Sequence, residues 1–185
     1  MGLIGHNNGP TMEPGASWRK HCWGAARARL LPTLPIEVVR MRVRRAQELG
    51  LDYKTYAGVR AATGHDVVAF LFSSNALRVT VQRLTLTEGR AAKLAALQSC
   101  GRVALAVAPM QAADLLQANP ELDRAHAAPF ALASFREAAT ALRVALHNTP
   151  ADRVILIGDT ALERDWCAAG RLAGYLSAER YFAKP

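Results

Sequence analysis

Three short stretches carry side chains whose type and spacing suit chemistry. In the first, Gly158-Asp159-Thr160-Ala161-Leu162-Glu163, one carboxylate stands directly after an apolar run and a second follows four residues later. Such a pair can supply oxygen ligands to a hard cation such as Mg²⁺. The second stretch, Ser73-Ser74-Asn75, also closes an apolar run. Together with Asp159, its hydroxyl and amide groups would form a small polar pocket that reads a ligand by hydrogen bonding. Ser and Asn also favour turns for purely structural reasons. The third stretch is basic: Arg40, Arg42, Arg44 and Arg45, followed by Lys54 and Arg60. It suits an anionic partner, and it equally suits the solvated face of a helix.

Spacing argues against other sites. His6, His21, His65, His126 and His147 show neither HxH nor HExxH, so histidine metal ligation is not expected. Ser74, a histidine (His65 or His147) and Asp159 would make a triad on paper, but no GxSxG elbow exposes the serine. There is no GxxxxGK[ST] loop, and Gly158-Asp159 is not a dinucleotide fingerprint. Cys22, Cys100 and Cys167 are odd in number and far apart, with no CxxC. This reads as a reducing, cytoplasmic setting without disulfides or zinc.

Half of the 185 residues are hydrophobic and 6% are aromatic, a globular and helix-rich composition. No apolar run reaches the roughly 18 residues of a membrane span, and the first ten residues lack the pattern of a secretory signal. The net charge of +8 is concentrated. Residues 18–60 carry ten Lys/Arg against Glu37, Glu48 and Asp52, whereas residues 61–185 are nearly balanced.

The elements that must position these groups follow from periodicity. Residues 1–17, rich in Gly, Asn and Pro, read as a flexible tail. Residues 18–64 read as a basic helical extension. Its first helix begins after Ser17 and carries Trp18 and Trp23, and a second runs from Pro35 to about Leu49. A third, capped by Asp52, runs from Tyr53 to about Thr63 and stops at Gly64. Ile36, Val39, Val43 and Ala46 make one apolar face of the second helix. The pair over 36–63 is also spaced like a helix-turn-helix, which would set Lys54, Thr55 and Arg60 in a major groove. The alternative is a helical hairpin packed on the sheet that follows.

From residue 65 to 185, apolar strands at 67–72, 103–108 and 154–157 alternate with helices. That alternation predicts an α/β domain, a three-layer Rossmann-like parallel sheet. Val79, Val81 and Leu84 alternate as an edge strand would. Thr87 is placed to cap a helix to Gln98. Helices are expected over 110–118 and 132–147, and residues 175–182 read as a terminal helix or strand.

The layout over residues 66–176 resembles the haloacid-dehalogenase-like superfamily. The resemblance rests on residues 151–170, whose Gly158-Asp159 and Glu163 are similar to the family's fourth motif, where the acids hold Mg²⁺. The family's first motif, Asp-x-Asp, would fall on Phe72-Ser73-Ser74. Phe72 then stands in place of the nucleophile and Ser74 in place of the acid/base. The second motif's Ser or Thr is replaced by Ala108-Pro109. The third motif's Lys has only Arg124, Arg136 or Arg143 to stand in for it. The resemblance thus implies the family's fold without its phosphatase chemistry: a non-catalytic binding or adaptor protein that meets an acidic partner through its basic helices. Nucleic-acid binding through 36–63 and a hydrolase of another type at the strand tips are the alternatives.

Overall fold

The computed structural model describes residues 34–183. The expected tail, the helix after Ser17, and Trp18 and Trp23 all lie outside the described residues. The chain divides into two compact units, residues 1–39 and 40–185. Of the first, only the start of the first described helix is seen.

That helix, α1 (Ile36–Glu48), is followed by α2 (Tyr53–Thr63). The α2 N-terminus is capped as its sequence predicts, with Asp52 accepting from Thr55 N at 2.8 Å. Gly64 ends the helix in the left-handed region at φ 75°, where only glycine avoids a Cβ penalty. Ala46 of α1 and Leu49 just after it are buried, as are Leu51 and Tyr56, and they join Phe70 and Phe72 in one apolar cluster. From residue 40 onward the pair is therefore a helical hairpin packed on the sheet.

The sheet follows as β1 (Ala69–Ser73), β2 (Gly101–Ala106), β3 (Arg124–Ala127), β4 (Val154–Gly158) and β5 (Gly174–Ser177). Its order is β3-β2-β1-β4-β5 and every pairing is parallel. The intervening helices are α3 (Ser74–Leu77), α4 (Glu88–Ala95), α5 (Ala112–Gln117), α6 (Phe135–Leu146), α7 (Ala161–Ala169) and α8 (Ala178–Phe182). The fold is a three-layer Rossmann-like α/β arrangement. Strand side chains alternate between its two cores, as the twofold period of a strand requires. Phe70, Phe72, Ile155 and Ile157 pack with Leu94 and Tyr181 on one side. Ala69, Leu71, Val154 and Leu156 pack with Leu142 of α6 and Trp166 of α7 on the other.

The three strands expected from apolar runs are the three central ones. The edge strands β3 and β5 escape such reading because they are four residues long and mostly half-buried. No edge strand forms over 79–84, where a single bridge, Thr80 with Arg83, closes a tight turn. Val79 still reaches the core, which accounts for its apolar character, and the sheet edges are taken by β3 and β5. Residues 175–182 prove to be both strand and helix, with Ser177 capping α8.

Candidate functional site

In open α/β sheets, ligands collect where the strands end. Here the ends of β1, β2 and β4 are joined by buried polar side chains. Ser73 Oγ accepts from Ala76 N at 3.0 Å and so caps α3. Ser74 Oγ accepts from Val107 N at 3.1 Å, tying β1 to the end of β2. Asn75 Nδ2 donates to Glu163 Oε1 at 3.0 Å, tying β1 to α7. The other oxygen of Glu163 accepts from Asp159 N at 2.5 Å and Thr160 N at 2.8 Å. Thr160 Oγ1 in turn accepts from Glu163 N at 3.3 Å, completing a capping box at the start of α7. Ser73, Ser74 and Glu163 are buried, with Glu163 at 0% exposure.

Gly158 belongs to the same construction. A Cβ at that position would lie 2.6 Å from Tyr175 and 2.9 Å from Glu163 Oε2. The glycine lets the carboxylate close onto the backbone of the turn.

This geometry redistributes the expected pocket. The side chains of Ser73, Ser74 and Asn75 are spent on backbone and on Glu163. Asp159 turns the other way, to an ion pair with Arg78 Nη2 at 3.1 Å. A shallow cleft there is lined by Arg78, Arg90, Asp159, Glu179 and Phe182. Arg90 donates from Nε to Ala76 O at 3.1 Å and lies 4.6 Å over the Phe182 ring. Burial and then the nearby charge of Arg78 hold its pKa below the ordinary value, against the pull of Asp159.

Both oxygens of Glu163 already accept hydrogen bonds, so the pair read as a Mg²⁺ cage presents one carboxylate, Asp159, rather than two. Among the described residues no three His, Cys, Asp or Glu side chains cluster as a metal site. His65 lies ahead of β1, 3.5 Å from Asp152, and His147 ends α6. Both are at the opposite end of the sheet from Ser74, so the paper triad does not assemble.

Phe72 lies within the sheet, one residue short of its end. It pairs with Ala104 and Ile157 in register and is fully buried. Its ring sits 5.8 Å from that of Tyr181 and 6.4 Å from that of Phe182. Of the three arginines considered as stand-ins for a family lysine, Arg124 opens β3, while Arg136 and Arg143 line a groove beside α6. None is at the tip of β1 or β4.

The basic stretch divides as well. Arg45 turns inward and donates to Asp66 Oδ2 at 2.9 Å, Glu48 Oε2 at 3.0 Å, and the carbonyls of Val67, Gln98 and Ser99. Its pKa is raised by these carboxylates although burial opposes the shift. Arg40 and Arg44 are exposed and Arg42 half-buried on the same helix, and Lys54 is exposed on α2. Among the described residues, Arg42, Arg44 and Lys54 have no ion pair. Arg60 is half-buried beside Tyr56, whose hydroxyl donates to Asp66.

Sequence reasoning passed over Arg78, Arg90 and Asn119. Asn119 is buried and joins the 84–86 segment to α5, accepting from Leu86 N at 2.8 Å and donating to the Leu84 and Leu115 carbonyls. The capping role of Glu163 was missed too, since sequence reasoning reads it as a Mg²⁺ ligand; Thr160-x-x-Glu163, a capping-box pattern, is the signal that marks it.

In comparison with known proteins, no family model matches the chain, and no curated protein or solved structure shows significant similarity to it. No described helix is long and apolar enough to cross a membrane.

Proposed function

We propose that this protein is a non-catalytic binding or adaptor protein on a degenerate haloacid-dehalogenase-like fold, meeting an acidic partner through the basic face of α1. One observation carries the reading. Ser73, Ser74, Asn75 and Glu163 bond to backbone or to one another at the strand ends, Asp159 pairs with Arg78, and among the described residues no hydrogen bond joins a serine there to a base, the arrangement that covalent catalysis by a hydroxyl requires. The neighbouring of β1 and β4 supports the family resemblance, since it brings the Phe72 strand beside the one that ends in Asp159. The acidic-partner reading draws on Arg42 and Arg44, which have no carboxylate partner among the described residues.

Binding of poly-L-glutamate and of a DNA duplex at low salt, followed by fluorescence anisotropy, tests this. The reading expects polyglutamate to bind and the double substitution Arg42→Ala/Arg44→Ala to weaken it several-fold, the size expected of two rim charges. Failure to bind, or indifference to the substitutions, contradicts it. A second reading, nucleic-acid binding by the α1–α2 pair, is favoured by exposed Lys54 on α2. It expects the duplex to be preferred, with affinity falling steeply with salt.

A further inference from the structure

Adjoining the shallow cleft at the sheet tip, and sharing Arg90 and Phe182 with it, a cleft of about 730 Å³ opens beside α4 and α8. That volume is within the roughly 300–1,000 Å³ of small-molecule sites. Tyr181 and Phe182 form part of its wall, and their rings meet edge to face at 5.0 Å. Two cations from one edge of α4 stand over these rings. Lys93 Nζ is 4.5 Å from the Tyr181 centroid, and the Arg90 guanidinium is 4.6 Å from that of Phe182.

Among the described residues neither cation forms an ion pair, and the one acid that attracts Arg90, Asp159, is itself paired with Arg78. Lys93 donates to the Tyr181 carbonyl, and Arg90 donates to the Ala76 carbonyl. Both are half-buried, and burial holds the pKa of each below its ordinary value. A half-buried cation without a counter-ion is costly unless something compensates it. The one carboxylate on the lining, that of Asp52, is already taken by Thr55 and Arg180. At the head of α4, the Thr87 hydroxyl makes no capping bond, and a Cβ at Gly89 would meet nothing within 4 Å. The cleft therefore combines an aromatic wall, two cations outside any ion pair among the described residues, an unused hydroxyl and open space.

We propose that this cleft binds a small amphipathic anion, its carboxylate or phosphate head on Arg90 and Lys93 and its aromatic or acyl body against the half-buried Phe182. The head group supplies the missing counter-charge, and the body covers the apolar wall. The site is built from residues other than Arg42 and Arg44, so its failure and that of the acidic-partner reading are separable.

Displacement of the fluorescent anion 8-anilinonaphthalene-1-sulfonate from the full chain is the test, with laurate, dodecyl phosphate and neutral dodecanol as competitors. Laurate or dodecyl phosphate displaces the dye, and the stronger of the two identifies the head. Dodecanol is at least tenfold weaker than that anion. Lys93→Met, which keeps the aliphatic stem over the Tyr181 ring, weakens the anion about tenfold and leaves dodecanol unchanged. Dodecanol binding as tightly as the anions would overturn the proposal. So would anion binding unaltered by Lys93→Met in a protein with an unchanged near-ultraviolet circular dichroism spectrum, or the absence of any displacement. Should Lys93→Met not fold, the wild-type contrast between anion and alcohol decides alone.

Discussion

Glu163 shows how one side chain can be read two ways. As an acid four residues after Asp159 it reads as half of a metal cage. In the fold it is the N3 residue of a capping box, buried and accepting from Asp159 N, Thr160 N and Asn75. Hydrogen bonds to a buried charge are among the stronger ones, and removing their acceptor strands the donors. Glu163→Ala is expected to destabilise the protein by about 2–4 kcal/mol in urea unfolding, and a loss under 0.5 kcal/mol would contradict this role. Gly158→Ala forces a Cβ against Tyr175 and Glu163, and is expected to cost about 1–3 kcal/mol by overpacking. The cysteines offer a chemical check at the same scale. Burial pushes the Cys100 thiol up to about 12 and the Cys167 thiol to about 11, and only the thiolate is an effective nucleophile. In iodoacetamide labelling at pH 8 read by peptide mass spectrometry, both stay unmodified in the native protein and react once it is unfolded. Native labelling at the rate of a free thiol would contradict the burial of Cys167 or the raised pKa of the half-buried Cys100.

At the scale of elements, the arginines of α1 cannot be told apart from their sequence. Arg42, Arg44 and Arg45 lie within four residues of one another, yet only Arg45 reaches Asp66 and the carbonyls of Val67, Gln98 and Ser99. Those partners come from distant segments, so no local pattern announces them. Arg45→Met is expected to lower stability by about 2–3 kcal/mol, while Arg42→Ala and Arg44→Ala stay within about 0.5 kcal/mol. Equal effects in thermal or urea unfolding would contradict that division. The strands follow the same logic. The centre of the sheet was legible because β1, β2 and β4 are buried on both faces and read as apolar runs. The edges were not, since Arg124-Ala125-His126-Ala127 and Gly174-Tyr175-Leu176-Ser177 are mostly half-buried and carry no strong period. The strand ends could be placed but not their bonding. Ser73, Ser74 and Asn75 stand where a ligand site was expected, and what engages them is residues up to 88 positions away.

For the molecule as a whole, two carboxylates tie distant parts of the chain together. Asp52 is held below its ordinary pKa by Thr55, first through the hydroxyl and then the backbone, with Arg180 adding to the shift. Asp123 is held below its own by Arg102, although burial opposes the shift. A depressed folded pKa contributes stability that is present above the unfolded value, near 4, and is lost as pH falls through the folded one. These two carboxylates therefore add no slope to stability above about pH 5 and lower it below about pH 4. Thermal melting against pH should show the Asp123→Asn variant with a shallower acid limb, and an identical limb would contradict the assignment. On the proposed non-catalytic reading, the side chains at the strand ends hold the fold together and transfer no phosphate. The most direct test of that reading is hydrolysis of p-nitrophenyl phosphate with Mg²⁺ by the wild type and by Asp159→Asn. No turnover above buffer is expected for either protein. Turnover by the wild type that Asp159→Asn abolishes would contradict it.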